Sequence, residues 1–210
     1  MLEKVLQNLQ WLGHDAFLLQ AGGKVIYFDP FQIPDSLPMA DIICISHEHY
    51  DHCSPADLQK IRQGSTIVVT ESQSAAKLSG QTRILQPGER CEISGIVIEA
   101  VPSYNLNKKF HPRGNGWLGF VVTVDGVRIY HAGDSDFIPE MKSIRADIAL
   151  LPVSGTYVMT AEEAVQAALA IQPKIAIPMH FAAIVGSEDD AARFAHGLAG
   201  RIRVEILARR

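Results

Sequence analysis

The 210-residue chain has only three cysteines, Cys44, Cys53 and Cys91, at unrelated spacings. An odd count without a framework argues against a disulfide scaffold. No apolar run approaches the roughly 18–20 residues of a membrane span. The first residues, Met1-Leu2-Glu3-Lys4-Val5-Leu6, include an acid and lack an apolar stretch of signal-peptide length. A cytoplasmic protein without a membrane partner is therefore expected. Positive charge is not in excess either: 19 Lys and Arg stand against 23 Asp and Glu, a net charge of −4. No nucleic-acid partner is expected on that balance. Linkers, tandem repeats and low-complexity segments are also missing. The length suits one domain spanning residues 1–210.

Apolar residues are plentiful at 47%, enough to bury a substantial core. The first part of the chain has a β-rich pattern. Leu6–Leu12 and Phe17–Gln20 are expected strands, and Ala21-Gly22-Gly23-Lys24 turns the chain into a strand over 25–28. Residues 42–46 form a short apolar run bounded by polar residues. Ser54 and Pro55 then carry the signature of a helix N-cap and first turn. A second hairpin is expected at Asp125-Gly126, between strands over 117–124 and 127–132. The end of the chain alternates: strand 146–153, helix 161–171, strand 174–179, helix 189–198, strand 204–207. Thr160 and Glu163 have the spacing of a capping box. Hairpins combined with helices that follow strands imply a layered α/β fold with two sheets and outer helices.

The informative segment is His47-Glu48-His49-Tyr50-Asp51-His52, which follows the apolar run Ile42–Ser46. Four ligand-type side chains in six residues suit a divalent metal bound by nitrogen and oxygen. His47 and His49, two apart on extended chain, project the same way and can share one metal. Asp51 and His52, where the chain turns into a helix, can serve a second. Two later strand ends offer the same chemistry. Asp134 follows Gly133 after the strand over 127–132, and a carboxylate there is the candidate bridge. His180 follows Ile177-Pro178-Met179. Asp29, in Phe28-Asp29-Pro30, is placed to hold a ligand histidine through its second ring nitrogen or to cap the loop after it.

Taken together, His47-x-His49-x-Asp51-His52, Gly133-Asp134 and His180 resemble the metallo-β-lactamase superfamily over essentially the whole chain. Trp11-Leu12-Gly13-His14, Phe28-Asp29-Pro30 and Tyr130-His131-Ala132-Gly133-Asp134 are most similar to the branch of ascorbate-6-phosphate lactonase-like and related metal-dependent hydrolases. The resemblance implies a four-layer αββα sandwich with a binuclear metal site on one edge. It also implies a third histidine on the first metal, from the loop after residue 101. That loop holds Tyr104 and Asn105 where the histidine would be expected. Either His111 reaches back to the metal or the first site is short of a ligand. In the resembling branch the position of His14 faces the cleft, which implies a substrate or catalytic role.

The chemistry expected is hydrolysis. Two divalent metals, zinc above all, with manganese, nickel or iron also suited, would activate water against an ester, lactone or phosphoester. Asp51 would orient the nucleophile, and His14 is a candidate acid. Lys108, Lys109 and Arg113, in a loop expected to overhang the cleft, could attract a small anionic substrate or could be an ordinary solvated loop. Tyr157 could reach the cleft. Glu48 and Tyr50 should point away from the metal, His131 should pack or orient Asp134, His196 should be on the surface, and Cys53 should be a small buried residue. The alternatives are a nucleotide or RNA phosphodiesterase and a non-catalytic metal-binding protein. A homo-oligomer would be compatible with a cleft that needs closing.

Overall fold

Side-chain alternation in the N-terminal strands sets the layering. The computed structural model describes residues 1–210. Its strands β1 (Leu9–Gly13), β2 (Ala16–Ala21), β3 (Lys24–Phe28), β4 (Ile42–Cys44), β5 (Ile67–Thr70) and β6 (Thr82–Ile84) pair in that order as one sheet. Successive side chains on a strand face opposite sides. Phe17, Leu19, Ile26, Phe28, Ile42, Cys44 and Val69 accordingly enter the main core. Their neighbours Ala16, Leu18, Tyr27, Ile43 and Val68 enter a second, smaller core on the other face. Helix α1 (Leu2–Gln7) packs beside β1. Helix α2 (Pro55–Ile61) closes the smaller core with Leu58 and Ile61. Helix α3 (Ser72–Ala76) is a single short turn after β5.

The second sheet supplies the other half of the main core. It contains β7 (Arg90–Ile93), β8 (Ile96–Pro102), β9 (Leu118–Val124), β10 (Val127–His131), β11 (Ile148–Pro152), β12 (Ile175–Met179) and β13 (Arg203–Val204). Their spatial order is β13-β12-β11-β10-β9-β8-β7. Helices α4 (Ala161–Ile171) and α5 (Glu188–Leu198) cover it through Ala164, Ala168, Ile171, Phe194 and Leu198. The result is the expected αββα sandwich. No helix is long and apolar enough to cross a membrane.

Local chemistry accounts for the turns and caps. Gly22 and Gly23 take φ of +61° and +69° between β2 and β3, and Asp125 and Gly126 take +51° and +72° between β9 and β10. Such left-handed pairs match the twist of two-residue hairpins. Thr160 Oγ1 accepts from the Glu163 amide at 3.1 Å, while the Glu163 carboxylate accepts from the Thr160 amide at 2.8 Å. The strand expected from Leu6 begins instead at Leu9, because α1 occupies the preceding turn. Leu2, Val5 and Leu6 have the i, i+3, i+4 spacing of a helical face, and it is Val5 and Leu6 that are buried. The last strand stops at Val204 instead of reaching Leu207, since pairing with β12 ends there.

Strand direction places the site. Strands β3 to β6 run parallel, as do β10 to β13. Two hydrogen bonds cross between the sheets at one edge: the Leu118 amide donates to the Ser46 carbonyl at 3.0 Å, and the His180 amide to the His14 carbonyl at 3.1 Å.

The main core holds one polar misfit. The Tyr130 hydroxyl is fully buried without a hydrogen-bond partner, and burial pushes its pKa up. A buried polar group without a partner costs stability. Tyr130→Phe is therefore expected to raise unfolding stability by about 1 kcal/mol in urea titration. A variant less stable than the parent would contradict this account of the hydroxyl.

Candidate metal centre

The turn into α2 gives the hexapeptide its shape. The amides of His52 and Cys53 both donate to the His49 carbonyl, at 3.0 and 2.8 Å, so the chain curls immediately after His49. Ser54 then caps α2, with its hydroxyl accepting from the Asp57 amide at 3.3 Å. The curl brings the His52 ring beside that of His47, with centroids 4.0 Å apart against 4.6 Å between His47 and His49. Gly133 precedes Asp134 with φ of +60°, and a Cβ there would lie 2.9 Å from the Leu118 carbonyl. Only glycine fits this approach without strain.

Six of the eight histidines gather at this edge. His47 Nε2 lies 3.0 Å from His49 Nδ1, and a His111 nitrogen joins them with all three donors within 4.8 Å of one another. The loop histidine, and not Tyr104 or Asn105, is thus the residue of its loop that stands beside His47 and His49. Asp134 sits between two groups of rings. Its Oδ1 is 3.4 Å from His52 Nε2, and its Oδ2 is 3.1 Å from His111 Nε2 and 3.3 Å from His180 Nε2. Asp51 Oδ2 stands 4.0 Å from His52 Nε2 and 3.2 Å from His14 Nε2. His14, His52 and His180 form a second set of three nitrogens within 4.8 Å of one another.

The outward nitrogens are anchored. His52 Nδ1 is 2.8 Å from Asp29 Oδ2, and His47 Nδ1 is 2.9 Å from the Ser46 hydroxyl. His111 Nδ1 is 3.1 Å from Asn105 Oδ1 and 3.2 Å from the Tyr157 carbonyl. His180 Nδ1 is 2.8 Å from the Ser154 hydroxyl. Four rings thus present Nε2 inward with Nδ1 held from outside, the arrangement that fixes tautomer and orientation in metal-ligating histidines. His52 Nε2, His111 Nε2 and Asp134 Oδ1 are buried without any hydrogen-bond partner. Buried polar atoms are almost always satisfied. Nitrogen and carboxylate oxygen donors left facing one another in this way suit divalent metals of the zinc, manganese or iron type.

The electrostatics arise from burial and proximity. Burial opposes the charge of Asp134, but the adjacent His180 and His52 rings hold its carboxyl well below the usual range. Burial likewise disfavours a charged His180, yet Asp134 and Asp15 raise it to about 9. His52 is raised by Asp134 and Asp29 against its own burial. Burial lowers His47, and lowers His14 to about 4. Asp51, despite desolvation, is lowered to about 2 by its contact with His14.

The sequence reading missed Asp15. Its carboxyl is fully buried with both oxygens unpartnered, and it groups with Asp134 and His180 within 4.8 Å. Burial pushes its pKa well above the ordinary value. The available signal was an acid set directly after His14 between the apolar strands β1 and β2. Trp117 was also missed: its ring lies 4.7 Å from that of His47 and covers it.

Other expectations divide. Asp29 holds His52, and Glu48 turns away to Lys77 at 2.8 Å. His131 packs against Phe28 and reaches the Asp15 carbonyl at 2.9 Å, and His196 is exposed. Cys53 is buried, and burial pushes its thiol up to about 11, which disfavours the thiolate a nucleophile needs. Tyr157 lines the cleft over the donors. Tyr50, expected to point away, lines it too, because the curl after His49 breaks the alternation. Two of the three loop cations are engaged elsewhere, Lys108 with Asp136 at 2.6 Å and Arg113 with Glu140 at 2.9 Å, while Lys109 is exposed without an ion pair and does not line the cleft. A larger hollow of about 640 Å³ beside α2 is lined by no histidine, cysteine or carboxylate and lacks the means for such chemistry.

An αββα sandwich with imidazoles and carboxylates converging at one edge belongs to the class of metal-dependent hydrolases. Residues 8–180 match the family model described as the beta-lactamase superfamily domain, and the chain belongs to that superfamily. It is 35% identical over 193 residues to a UPF0173 metal-dependent hydrolase of Methanoculleus marisnigri, covering 83% of this chain and 80% of the relative. A crystal structure of a protein from Parabacteroides distasonis, classed as a metal-dependent hydrolase, matches with a TM-score of 0.86 at 35% identity, over 95% of this chain and 91% of that one. A protein from Thermotoga maritima, classed as a zinc-dependent hydrolase of the metallo-β-lactamase superfamily, shares the fold at a TM-score of 0.67 and 23% identity, over 95% and 97% of the two chains.

The anchoring of His52 can be tested directly. Asp29→Ala should weaken metal binding by about 10–100-fold, the usual effect of losing such an outer partner. Competitive titration with a chromogenic chelator measures it, and an unchanged affinity would contradict the role given to Asp29.

Proposed function

We propose that this chain is a binuclear metal-dependent hydrolase acting on an ester, lactone or phosphoester bond of a small molecule. His47, His49 and His111 would hold one divalent metal, and Asp51, His52 and His180 the second, with Asp134 between them. The observation that carries the reading is the set of buried, unpartnered donor atoms on His52, His111 and Asp134, with the outer ring nitrogens of His52 and His111 already anchored. When bound, the metals would supply Lewis-acid activation of water and of the scissile oxygen.

The chain's own residues supply orientation and proton handling. Asp29, Ser46, Asn105 and Ser154 fix the rings, so little reorganisation is needed during reaction. Asp51, which lines the cleft, would accept a proton of the attacking water. His14, whose Nε2 is 3.2 Å from Asp51 Oδ2, would be the group to pass a proton on to the departing oxygen. Tyr50, Phe110 and Tyr157 narrow the mouth and limit the access of bulk water.

Protein purified without chelator should contain about two equivalents of divalent metal by mass spectrometry, as this two-metal reading requires. Ester, lactone or phosphodiester hydrolysis should be lost with chelator and restored by metal, and Asp51→Asn should lower kcat by at least about 100-fold. Protein that holds no metal and takes none up would overturn the proposal.

A further inference from the structure

The hydrolase reading leaves the substrate class open, and the cleft walls bear on it. The cleft over the donors measures about 230 Å³. That is below the roughly 300–1,000 Å³ usual for drug-sized ligands. Its floor consists of candidate metal ligands, and its walls are Tyr50, Phe110, Tyr157 and Ile184. Eight large hydrophobic side chains are exposed over the whole surface, and three of them, Tyr50, Phe110 and Ile184, stand at this one mouth. Scattered exposed apolar residues need no explanation, whereas grouped ones mark a binding surface.

The walls are braced. Phe110 packs edge-to-face on Tyr157 with centroids 4.6 Å apart, and Tyr50 packs edge-to-face on Phe31 at 5.8 Å. Each pair joins residues from different segments, so packing holds the rings of Phe110, Tyr157 and Tyr50 at the mouth.

Charge is lacking where an anionic substrate would need it. No lysine or arginine lines the cleft. Lys108 is committed to Asp136, a buried carboxylate that also accepts from the Leu106 amide at 2.8 Å. Recruiting Lys108 for a substrate would strand that carboxylate. Arg113 is held by Glu140 and lies 5.1 Å over the Tyr104 ring. A substrate with a second anionic group beyond the scissile bond would find apolar rings inside the cleft, and the one unpaired loop cation, Lys109, lies outside its lining.

We propose, resting on the hydrolase reading above, that the cleft takes small neutral esters or lactones bearing a flat apolar group, and that it disfavours phosphorylated substrates. The apolar group would lie among Tyr50, Phe110, Tyr157 and Ile184, with the carbonyl over the donors. In the reaction, the oxygen of water bonds to the acyl carbon and the acyl carbon–oxygen bond breaks. The alcohol oxygen leaves with one proton, and the acid gives up the other.

The test compares phenyl acetate with phenyl phosphate and bis(p-nitrophenyl) phosphate on metal-loaded protein, alongside Phe110→Ala and Ile184→Ala. Phenyl acetate is expected to have the highest kcat/KM. Each variant should raise its KM about tenfold, the size of one lost aromatic or aliphatic contact, with metal content unchanged. Preference for either phosphate ester, or an unaltered KM in both variants, would overturn the proposal. Failure of the hydrolase reading is separable, because binding is read without turnover. Saturable quenching of Trp117 fluorescence by neutral phenylacetamide, weakened in Phe110→Ala and not matched by phenyl phosphate, supports the apolar cleft even if nothing is hydrolysed. Equal or tighter binding of phenyl phosphate, or no binding of phenylacetamide, overturns it.

Discussion

The carboxylate of Asp29 is the constraint on which the edge of this sandwich depends. One oxygen accepts from the Ser46 amide at 2.7 Å, and the other from the Ser46 hydroxyl at 2.6 Å and His52 Nδ1 at 2.8 Å. Hydrogen bonds to a charged group contribute roughly 1.5–3 kcal/mol each where both partners are buried. Ser46 passes the constraint on, since its hydroxyl orients His47 and its carbonyl receives the Leu118 amide from the opposite sheet. A single acid thus fixes two donor rings and the distance between the sheets that carry them.

Backbone strain collects at the same edge. His14, Asp29 and His180 take φ of +50°, +39° and +59°, a region disfavoured for side chains with a Cβ. Such residues cost on the order of 1–3 kcal/mol each and persist only where the surroundings over-determine them. Here the surroundings are the two sheets, each buried on both faces, and the bond from the His180 amide to the His14 carbonyl joins two strained residues directly. The core keeps donors in positions that their own backbones would not choose.

Much of this was legible in the sequence, for reasons that differ by element. Strand alternation in β2 and β3, the Gly22-Gly23 and Asp125-Gly126 turns and the Thr160 cap are local, so their signals lie within a few residues. The hexapeptide, Asp134 and His180 stood out because ligand-type residues followed apolar strands. His111 could not be resolved, because its approach depends on Asn105 and the Tyr157 carbonyl, contacts set by the fold of two separate loops. Asp15 has a local signal, its place directly after His14 between two apolar strands, but that signal is shared with an ordinary turn aspartate, and only the packed sheets show the carboxyl to be buried. The charges of Lys108 and Arg113 were visible, but their partners Asp136 and Glu140 lie 28 and 27 residues away. Tyr50 was misplaced because strand alternation was extended past the point where His49 accepts two amides.

The donors that converge on Asp134, at the end of β10, come from the segment after β4, the loop after β8 and the end of β12, and they meet only when both sheets have docked. An unfolded chain keeps only the hexapeptide's own donors together. Any ion held at the assembled site therefore favours the native state, and mass action adds the difference in binding free energy to folding. At a thousandfold excess over the dissociation constant that gain is about 4 kcal/mol, a large share of what a domain of this kind commands. Thermodynamic linkage of this sort would make ion supply a determinant of the protein's lifetime as well as of its chemistry.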